Sequence, residues 1–169
     1  MKIYIGCGLT HVPRDCFSDH AEFIHELAAR LTDADHAVRY ALRDSDPQLA
    51  EKPFGERARL CYLWDRRMVE DADLMVAEAS FPSTGLGIEM QIAERRDTPI
   101  VLCFRDFGSN RVSPVSYQTP DHQRHELQIG EGFVTLMALG VPSIFRVIRY
   151  STKNDGIEQV RAAIALLDR

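Results

Sequence analysis

The chain has 169 residues, of which 45% are apolar and 27% charged, with a formal net charge of −5 at pH 7 and a pI of about 5.7. This length and composition are typical of one globular domain with a sizeable buried core. Because no basic run or stripe appears, the charge pattern argues against a nucleic-acid polymer or an anionic membrane surface as the main partner.

Short apolar runs alternate with stretches of helical periodicity along the chain. The runs predict five strands, at Lys2–Cys7, His36–Leu42, Leu74–Ala77, Ile100–Phe104 and Ile144–Tyr150. The periodic stretches predict helices over Asp19–Leu31, Arg57–Ala72, Gly87–Arg96 and Gly132–Leu139, and a last helix that opens at Asp155. This alternation predicts a three-layer α/β sandwich, one domain over residues 1–169, with a parallel five-stranded sheet in the flavodoxin-like order 2-1-3-4-5.

The connections between these elements are polar. Asp19, with Glu22 three residues later, resembles a capping box at the start of the first helix. Residues 43–55 read as a polar loop that could act as a lid, and residues 106–125 read as a second loop. No repeat, low-complexity segment or linker divides the chain.

The cysteines and the N-terminus indicate a compartment. Cys7, Cys16, Cys61 and Cys103 lack the pair spacing of a metal site, and we interpret them as reduced thiols of a cytosolic protein. The opening segment is too short for the apolar region of a signal peptide, and no stretch approaches the length of a membrane span. We therefore expect a cytoplasmic protein.

The predicted strand order has its switch point between strands one and three, where open α/β sheets bind ligands. The loop that begins at Gly8 and the loop Ser83–Glu89 would meet there in one crevice. Gly85 and Gly87 let the backbone approach a ligand closely, and Glu89 follows at the predicted start of a helix. An acidic residue in a first helical turn also suits the helix dipole, but the topology favours the functional interpretation.

Two further side chains could reach this crevice. Asp65 is either a solvated carboxylate that pairs with Arg66 or Arg67, which the pattern alone favours, or a second crevice carboxylate. In the second case Asp65 and Glu89 would flank one site, the arrangement that glycoside chemistry requires. Tyr4 either packs in the core or extends its hydroxyl to the floor of the crevice.

The glycine-rich loop is a candidate anion site. Ser83, Gly85 and Gly87 offer a hydroxyl and unblocked backbone N–H groups beside a helix N-terminus. The spacing is neither that of a Walker A motif nor that of a dinucleotide fingerprint. Arg14 and His11 could assist a phosphate or could belong to a solvated loop.

Other polar groups have competing interpretations. His122 and His125, with Asp121 and Glu126, could suggest a metal, but no third ligand is evident, and we interpret them as an exposed loop. No metal site is therefore predicted. Glu78, at the end of the third strand, is either a further crevice group or an acceptor that caps a helix.

Taken together, four segments resemble the nucleoside 2-deoxyribosyltransferase family, and most closely its 2′-deoxynucleoside 5′-phosphate N-hydrolases. These segments are the opening strand Ile3–Gly8, Asp65 on its helix, the strand Ala72–Glu78 and the loop Pro82–Glu89. The likeness extends from residue 2 to about residue 113. The loop and Asp65 together carry most of its specificity.

The resemblance implies roles for these residues and a need for no cofactor. Glu89 would attack C1′ of a 2′-deoxyribosyl group and expel the base, and water or a second base would resolve the covalent intermediate. Asp65 would hold or protonate the sugar and base side. Tyr4 would position Glu89 and press on the sugar near C2′, while Gly6 and Gly8 would line the substrate site.

Two serines bear on the substrate. The family's phosphate-using hydrolases carry serine at the position of Ser83. They also use a serine of the neighbouring subunit, for which Ser113 is the best match. Both serines favour a 5′-monophosphate as the substrate, and Ser113 implies a homodimer or larger homo-oligomer. The loop after Gly8 lacks the family's Gly-Gly-Arg pattern, so Arg14 stands in for that arginine. Residues 117–140 have no clear counterpart.

The sequence thus predicts an N-glycosidase that cleaves a 2′-deoxynucleoside 5′-monophosphate to free base and 2-deoxyribose 5-phosphate. The first alternative is a 2-deoxyribosyltransferase that exchanges bases between nucleosides. The second is a nucleotide-binding sensor without catalytic activity, against which the joint presence of Tyr4, Asp65 and Glu89 argues.

Overall fold

The computed structural model describes residues 1–167. Its strands are β1 Lys2–Cys7, β2 Ala37–Tyr40, β3 Leu74–Glu78, β4 Ile100–Arg105, β5 Ser116–Gln118, β6 Arg124–Glu126 and β7 Ile144–Tyr150. Its helices are α1 Arg14–Thr32, α2 Ala41–Asp44, α3 Asp46–Leu49, α4 Phe54–Glu70, α5 Thr84–Arg95, α6 Leu136–Leu139 and α7 Lys153–Leu167. None of these helices is both long enough and apolar enough to cross a membrane.

Five strands form one parallel sheet in the order β2-β1-β3-β4-β7, which confirms the predicted fold class and strand order. The direction of strand addition reverses between β1 and β3, and open α/β sheets bind ligands at the carboxyl ends of the strands at such a point. The register pairs Cys7 with Glu78 and Glu78 with Cys103, so β1, β3 and β4 end side by side. The loops after β1 and β3 therefore meet at one edge of the sheet.

The sheet separates two cores because successive strand residues point to opposite faces. On β3, Leu74 and Val76 pack in the core that includes α1 and α7, whereas Met75 and Ala77 pack in the core that includes α4 and α5. All five residues of β3 are buried, as expected of a central strand covered by helices on both faces. Tyr4 of β1 shares the second core.

Both long helices of the first half begin earlier than predicted. Helix α1 begins at Arg14 and α4 at Phe54, each directly after a proline and without a side-chain cap. The predicted capping box was therefore wrong. Asp19 instead lies within α1 and forms ion pairs with Arg105 and Lys153, which join α1 to β4 and α7.

The predicted loop over residues 43–55 is partly helical, because α2 and α3 occupy its first half. The Asp44 carboxylate accepts a hydrogen bond from the backbone N–H of Tyr40 (3.0 Å) and so holds α2 against the end of β2. The interpretation of residues 43–55 as one polar loop was wrong for this half.

The second predicted loop also contains regular structure. Residues 116–118 and 124–126 form the antiparallel hairpin β5–β6, whose turn is closed by a bond from the N–H of Thr119 to the carbonyl of Gln123 (3.0 Å). His122 adopts a positive φ of 64° in this turn. The predicted helix Gly132–Leu139 is reduced to α6, because Thr135 caps that helix through the N–H of Ala138 (3.4 Å).

Candidate active site

Helix α5 begins before the two glycines and not after them. Its N-cap is Ser83, whose hydroxyl accepts a hydrogen bond from the N–H of Leu86 (3.2 Å). Gly85 and Gly87 therefore lie in the first helical turn, and Glu89 lies one turn further on. The predicted start at Gly87 was wrong, and the helix dipole does not account for Glu89, since the first turn holds no acidic residue.

Gly6 makes room for the head group of Glu89. A methyl group on Gly6 would lie 2.5 Å from Glu89 Oε2 and 2.7 Å from Met75 Cε, distances that no side chain can occupy without displacing its neighbours. Gly6 is on β1 with its face towards α5. The carboxylate thus rests directly on the backbone of the central strand.

Tyr4 holds one oxygen of Glu89. Its hydroxyl donates a hydrogen bond to Glu89 Oε1 (2.9 Å), and its ring is completely buried two residues before Gly6 on the same face of the sheet. Both interpretations of Tyr4 therefore hold at once, because the ring packs in the core and the hydroxyl reaches the crevice. Burial raises the pKa of Tyr4 well above its ordinary value, so the hydroxyl remains a donor.

The second oxygen of Glu89 has no such partner. Within residues 1–167, Oε2 is enclosed by protein atoms and receives no hydrogen bond. Burial raises the pKa of Glu89 from 4.5 to about 8; the hydrogen bond from Tyr4 lowers it, and the negative charge of Asp65 raises it. A buried carboxyl oxygen without a donor is rare and marks a place where a ligand group can bind.

Asp65 on α4 provides the second carboxyl group. Its Oδ2 accepts a hydrogen bond from the thiol of Cys61 (3.2 Å), one helical turn earlier, while its buried Oδ1 has no hydrogen-bond partner in the described chain. Arg66 pairs with Glu70 (2.8 Å), and Arg67 lies 3.9 Å from an oxygen of Asp71. The interpretation of Asp65 as a carboxylate paired with Arg66 or Arg67 was wrong.

Cys61 is a member of this group that the sequence analysis did not single out. Burial and the adjacent Asp65 raise the pKa of its thiol to about 12, so the thiol stays protonated and donates. The spacing of four residues, which places both side chains on one helical face, was the signal that could have identified it.

The glycine-rich segment leaves open space at the start of α5. A methyl group on Gly87 would meet no atom within 4 Å, and one on Gly85 would lie 3.6 Å from Ser83 Oγ. At Gly8 the loops are tightly packed instead, because a methyl group there would lie 3.0 Å from Ser83 Cβ and 3.1 Å from the carbonyl oxygen of Phe81. The loop after β1 thus lies directly against the N-cap of α5.

Two other predicted site residues lie apart from these carboxyl groups. Arg14 is exposed in the first turn of α1, with its guanidinium 5.8 Å from the ring centre of Phe17. Ser113 is exposed on the loop after β4 and lines a cavity formed by residues 111–114 and 126–131.

The remaining polar groups have other surroundings. Glu78 points to the opposite face of the sheet and is completely buried, so it is neither a crevice group nor a helix cap. His125 lies in β6 with its ring centre 5.7 Å from that of Tyr117. Residues 1–167 contain no group of three or more His, Cys, Asp or Glu side chains that could hold a metal ion.

A comparison with curated proteins found a relative that matches part of the chain. The chain is 36% identical over 59 residues to a protein of Syntrophotalea carbinolica that is provisionally named 2′-deoxynucleoside 5′-phosphate N-hydrolase 1. The resemblance to the nucleoside 2-deoxyribosyltransferase family is confirmed. The match covers 35% of this chain and 42% of the relative's length, and no family model matches the chain.

Solved structures share the fold over nearly the whole chain. A CMP N-glycosidase of Clostridium botulinum aligns with a TM-score of 0.55 at 13% identity and covers 96% of this chain and 99% of its own. A conserved protein of Enterococcus faecalis V583 aligns with a TM-score of 0.58 at 18% identity and covers 96% and 98%. At these identities the alignments establish the fold alone.

Proposed function

We propose that the protein hydrolyses the N-glycosidic bond of a 2′-deoxynucleoside 5′-monophosphate. The observation that carries the proposal is the pair of enclosed carboxyl groups, Glu89 and Asp65, each with one oxygen that has no partner in the described chain. Leaving such groups unsatisfied costs about 1–3 kcal/mol each, which a bound sugar or base can offset by supplying the missing contacts.

In the proposed mechanism Glu89 Oε2 is the nucleophile. It forms a bond to C1′ as the bond from C1′ to the base nitrogen breaks, and the electron pair of that bond leaves with the base. Tyr4 holds Oε1 and so directs the free oxygen at the sugar. Water then attacks C1′ of the covalent intermediate and gives its proton to Asp65 as the bond from C1′ to Glu89 Oε2 breaks, which frees Glu89 and gives 2-deoxyribose 5-phosphate.

Asp65 would serve the leaving base. The raised pKa of Glu89 keeps one proton in the site near neutral pH. When Glu89 ionises to attack, that proton is available through Asp65 for the departing base. The hydrogen bond from Cys61 occupies Oδ2 and leaves Oδ1 for this task.

The 5′-phosphate would bind at the N-terminus of α5. Helix N-termini attract anions through free N–H groups and the helix dipole, and α5 has 12 residues with no acidic residue in its first turn. Gly85 and Gly87 leave this end open, and Ser83 and Gly8 border it. The name of the S. carbinolica relative, which specifies a nucleoside 5′-phosphate, supports the same substrate class.

The proposal includes a homodimer or larger homo-oligomer in which Ser113 of the partner subunit reaches the phosphate. In one chain Ser113 is exposed, and the side chains of Val112 and Val115 beside it are each 55% exposed, which suits a surface that another subunit covers. We also place the protein in the cytoplasm, where four cysteines without a disulfide are expected.

A substrate screen tests the function. The protein is incubated with each 2′-deoxynucleoside 5′-monophosphate, with the corresponding free nucleosides and with CMP, in the presence and absence of a second free base, and the products are separated by chromatography. We expect free base and 2-deoxyribose 5-phosphate from at least one deoxynucleotide. Base exchange on free nucleosides would favour a transferase instead, and tight nucleotide binding without turnover would favour a sensor.

A further inference from the structure

One buried histidine supports both loops on the proposed phosphate side. His20 of α1 is 1% exposed, and its Nε2 lies 3.0 Å from the carbonyl oxygen of Gly8. Its ring also meets that of Phe81 nearly at a right angle, with 5.6 Å between the ring centres. Gly8 and Phe81 belong to the loops after β1 and β3, so His20 contacts both loops from the side of the sheet that α1 covers.

Glu78 lies beside the other nitrogen of this ring. Nδ1 of His20 lies 3.4 Å from Glu78 Oε2, and within residues 1–167 it makes no hydrogen bond. The completely buried Glu78 carboxylate accepts hydrogen bonds from the Ser80 hydroxyl, from the backbone N–H of Ser80 (3.3 Å) and from the Tyr150 hydroxyl (3.0 Å). These donors belong to the loop after β3 and to β7, so the carboxylate is anchored at the centre of the sheet.

The hydrogen bond to Gly8 fixes the position of one hydrogen on the ring. A carbonyl oxygen only accepts, so Nε2 must carry a hydrogen whenever this bond forms. Nδ1 then faces Glu78 Oε2 at 3.4 Å. The three hydrogen bonds that Glu78 accepts satisfy its carboxyl group at this depth and hold it beside the ring.

We propose that His20 and Glu78 form a positioning pair that sets the spacing between Gly8 and Ser83 and thereby the affinity for the 5′-phosphate group. The two loops are closely packed at this point, since a methyl group on Gly8 would lie 3.0 Å from Ser83 Cβ. The pair lies on the opposite face of the sheet from Glu89 and touches none of the proposed reacting atoms. This inference rests on the proposed function.

The test uses three variants of the full-length protein. His20→Phe fills the space of the ring and removes the donor to Gly8, whereas His20→Gln keeps an N–H at a similar reach. His25→Gln is the matched control, because His25 lies on the same helix but bonds to Tyr40 OH (3.0 Å), beyond the crevice loops. For each, kcat and KM are measured on a deoxynucleotide and on the corresponding free nucleoside, and inhibition by inorganic phosphate is measured as a direct probe.

In His20→Phe we expect the preference for the phosphorylated substrate, expressed as the ratio of the two kcat/KM values, to fall about tenfold, the effect of one misplaced hydrogen bond. The inhibition constant of phosphate should rise by about the same factor, and the loss should be mainly in KM. His20→Gln should recover most of the preference, and His25→Gln should match the wild type.

An unchanged ratio in His20→Phe, or equal losses on both substrates, would overturn the inference. If His20→Phe does not fold, Glu78→Gln, which keeps the volume and removes the charge, is held to the same criterion. A wild-type protein that cleaves neither substrate contradicts the proposed function instead, and phosphate binding by calorimetry to the wild type and to His20→Phe then still decides whether His20 sets phosphate affinity.

Discussion

The two faces of the sheet each bury a glutamate near the carboxyl ends of the strands, and the two differ in their hydrogen bonds. Glu78, on the α1–α7 face, accepts three hydrogen bonds and faces His20. Glu89, on the α4–α5 face, accepts one hydrogen bond, from Tyr4, and its second oxygen has no partner in the described chain. Burial raises the pKa of both.

Burial alone therefore does not identify a reactive carboxylate in this fold. A buried carboxylate whose oxygens all accept hydrogen bonds stabilises the structure around it. One that lacks a hydrogen-bond donor is destabilising until a bound ligand supplies that donor. Glu78 connects α1, β3 and β7, while the unpaired oxygen of Glu89 lies enclosed beside Gly6. The difference predicts opposite consequences for the same substitution on the two faces.

Glu89→Ala and Glu78→Ala form the matched pair with the largest expected effects. Glu89→Ala should lower kcat by at least about 10³-fold, because it removes the proposed nucleophile, and should change the free energy of unfolding little. Glu78→Ala should lower the free energy of unfolding by about 3–5 kcal/mol, because it leaves His20 and the hydroxyls of Ser80 and Tyr150 unpaired. Steady-state kinetics and urea unfolding separate the two, and an active Glu89→Ala enzyme would remove Glu89 from the nucleophile role.

The pH dependence of stability should differ between the wild type and Glu89→Gln. Between pH 4.5 and about 8 the folded protein binds a proton at Glu89 that the unfolded chain has lost, so the wild-type free energy of unfolding falls as pH rises. The slope is at most about 1.4 kcal/mol per pH unit, and smaller to the extent that solvent reaches the carboxyl group.

Because Glu89→Gln removes this titration but keeps Glu78, the variant should gain stability relative to the wild type as pH rises through this window. Urea unfolding at pH 5, 6.5 and 8 measures the difference. Parallel stability curves for the two proteins would show that Glu89 titrates near its ordinary value and that its free oxygen is solvated.

Gly6→Ala tests the close contact between Gly6 and the Glu89 carboxyl group without changing any proposed reacting group. The added methyl would lie 2.5 Å from Glu89 Oε2, so the carboxyl group must move and its bond from Tyr4 must lengthen. We expect kcat/KM to fall about 10²-fold, the scale of a misplacement of roughly 1 Å. Gly55→Ala, where an added methyl meets nothing within 4 Å, is the control. Equal activities for the two variants would show that the contact with Gly6 does not position Glu89.

Cys61→Ala should have a smaller effect. Without the thiol donor both oxygens of Asp65 lack a partner, and we expect kcat/KM to fall about tenfold. Cys61→Ser keeps a donor at the same position and should retain most of the activity. Cys16→Ala controls for general thiol effects; if Cys61→Ala and Cys16→Ala behaved alike, the thiol would have no part in orienting Asp65.

Short apolar runs were sufficient to predict the central sheet. The run Ile144–Tyr150 gave both ends of β7 correctly, because each end of that strand coincides with a change of pattern. The helix starts were missed because α1 and α4 begin after prolines without a side-chain cap, so the capping signal at Asp19 was misleading. The hairpin β5–β6 was missed because its strands have three exposed residues each and no apolar alternation.

The site was predictable to the extent that local spacing encodes it. Tyr4 and Glu89 were singled out as candidates from their places on two elements, whereas for Asp65 the pattern alone favoured a solvated carboxylate and the family resemblance decided for the site. The contact of His20 with Glu78 joins residues 58 positions apart and depends on the packing of α1 against β3, to which no local pattern corresponds. Whether Arg14 and Ser113 contact substrate stays a prediction, since both are exposed in a single chain.

The open space above Gly87 has a consequence for protein engineering. Glycine in a helix is less stable than alanine by about 0.5–1 kcal/mol, and an added methyl at Gly87 meets no atom within 4 Å. Gly87→Ala should therefore raise the melting temperature while it fills open space at the start of α5, where the phosphate is proposed to bind. A selection for thermal tolerance alone would enrich this substitution and discard activity, so directed evolution of this protein needs a turnover screen from its first round.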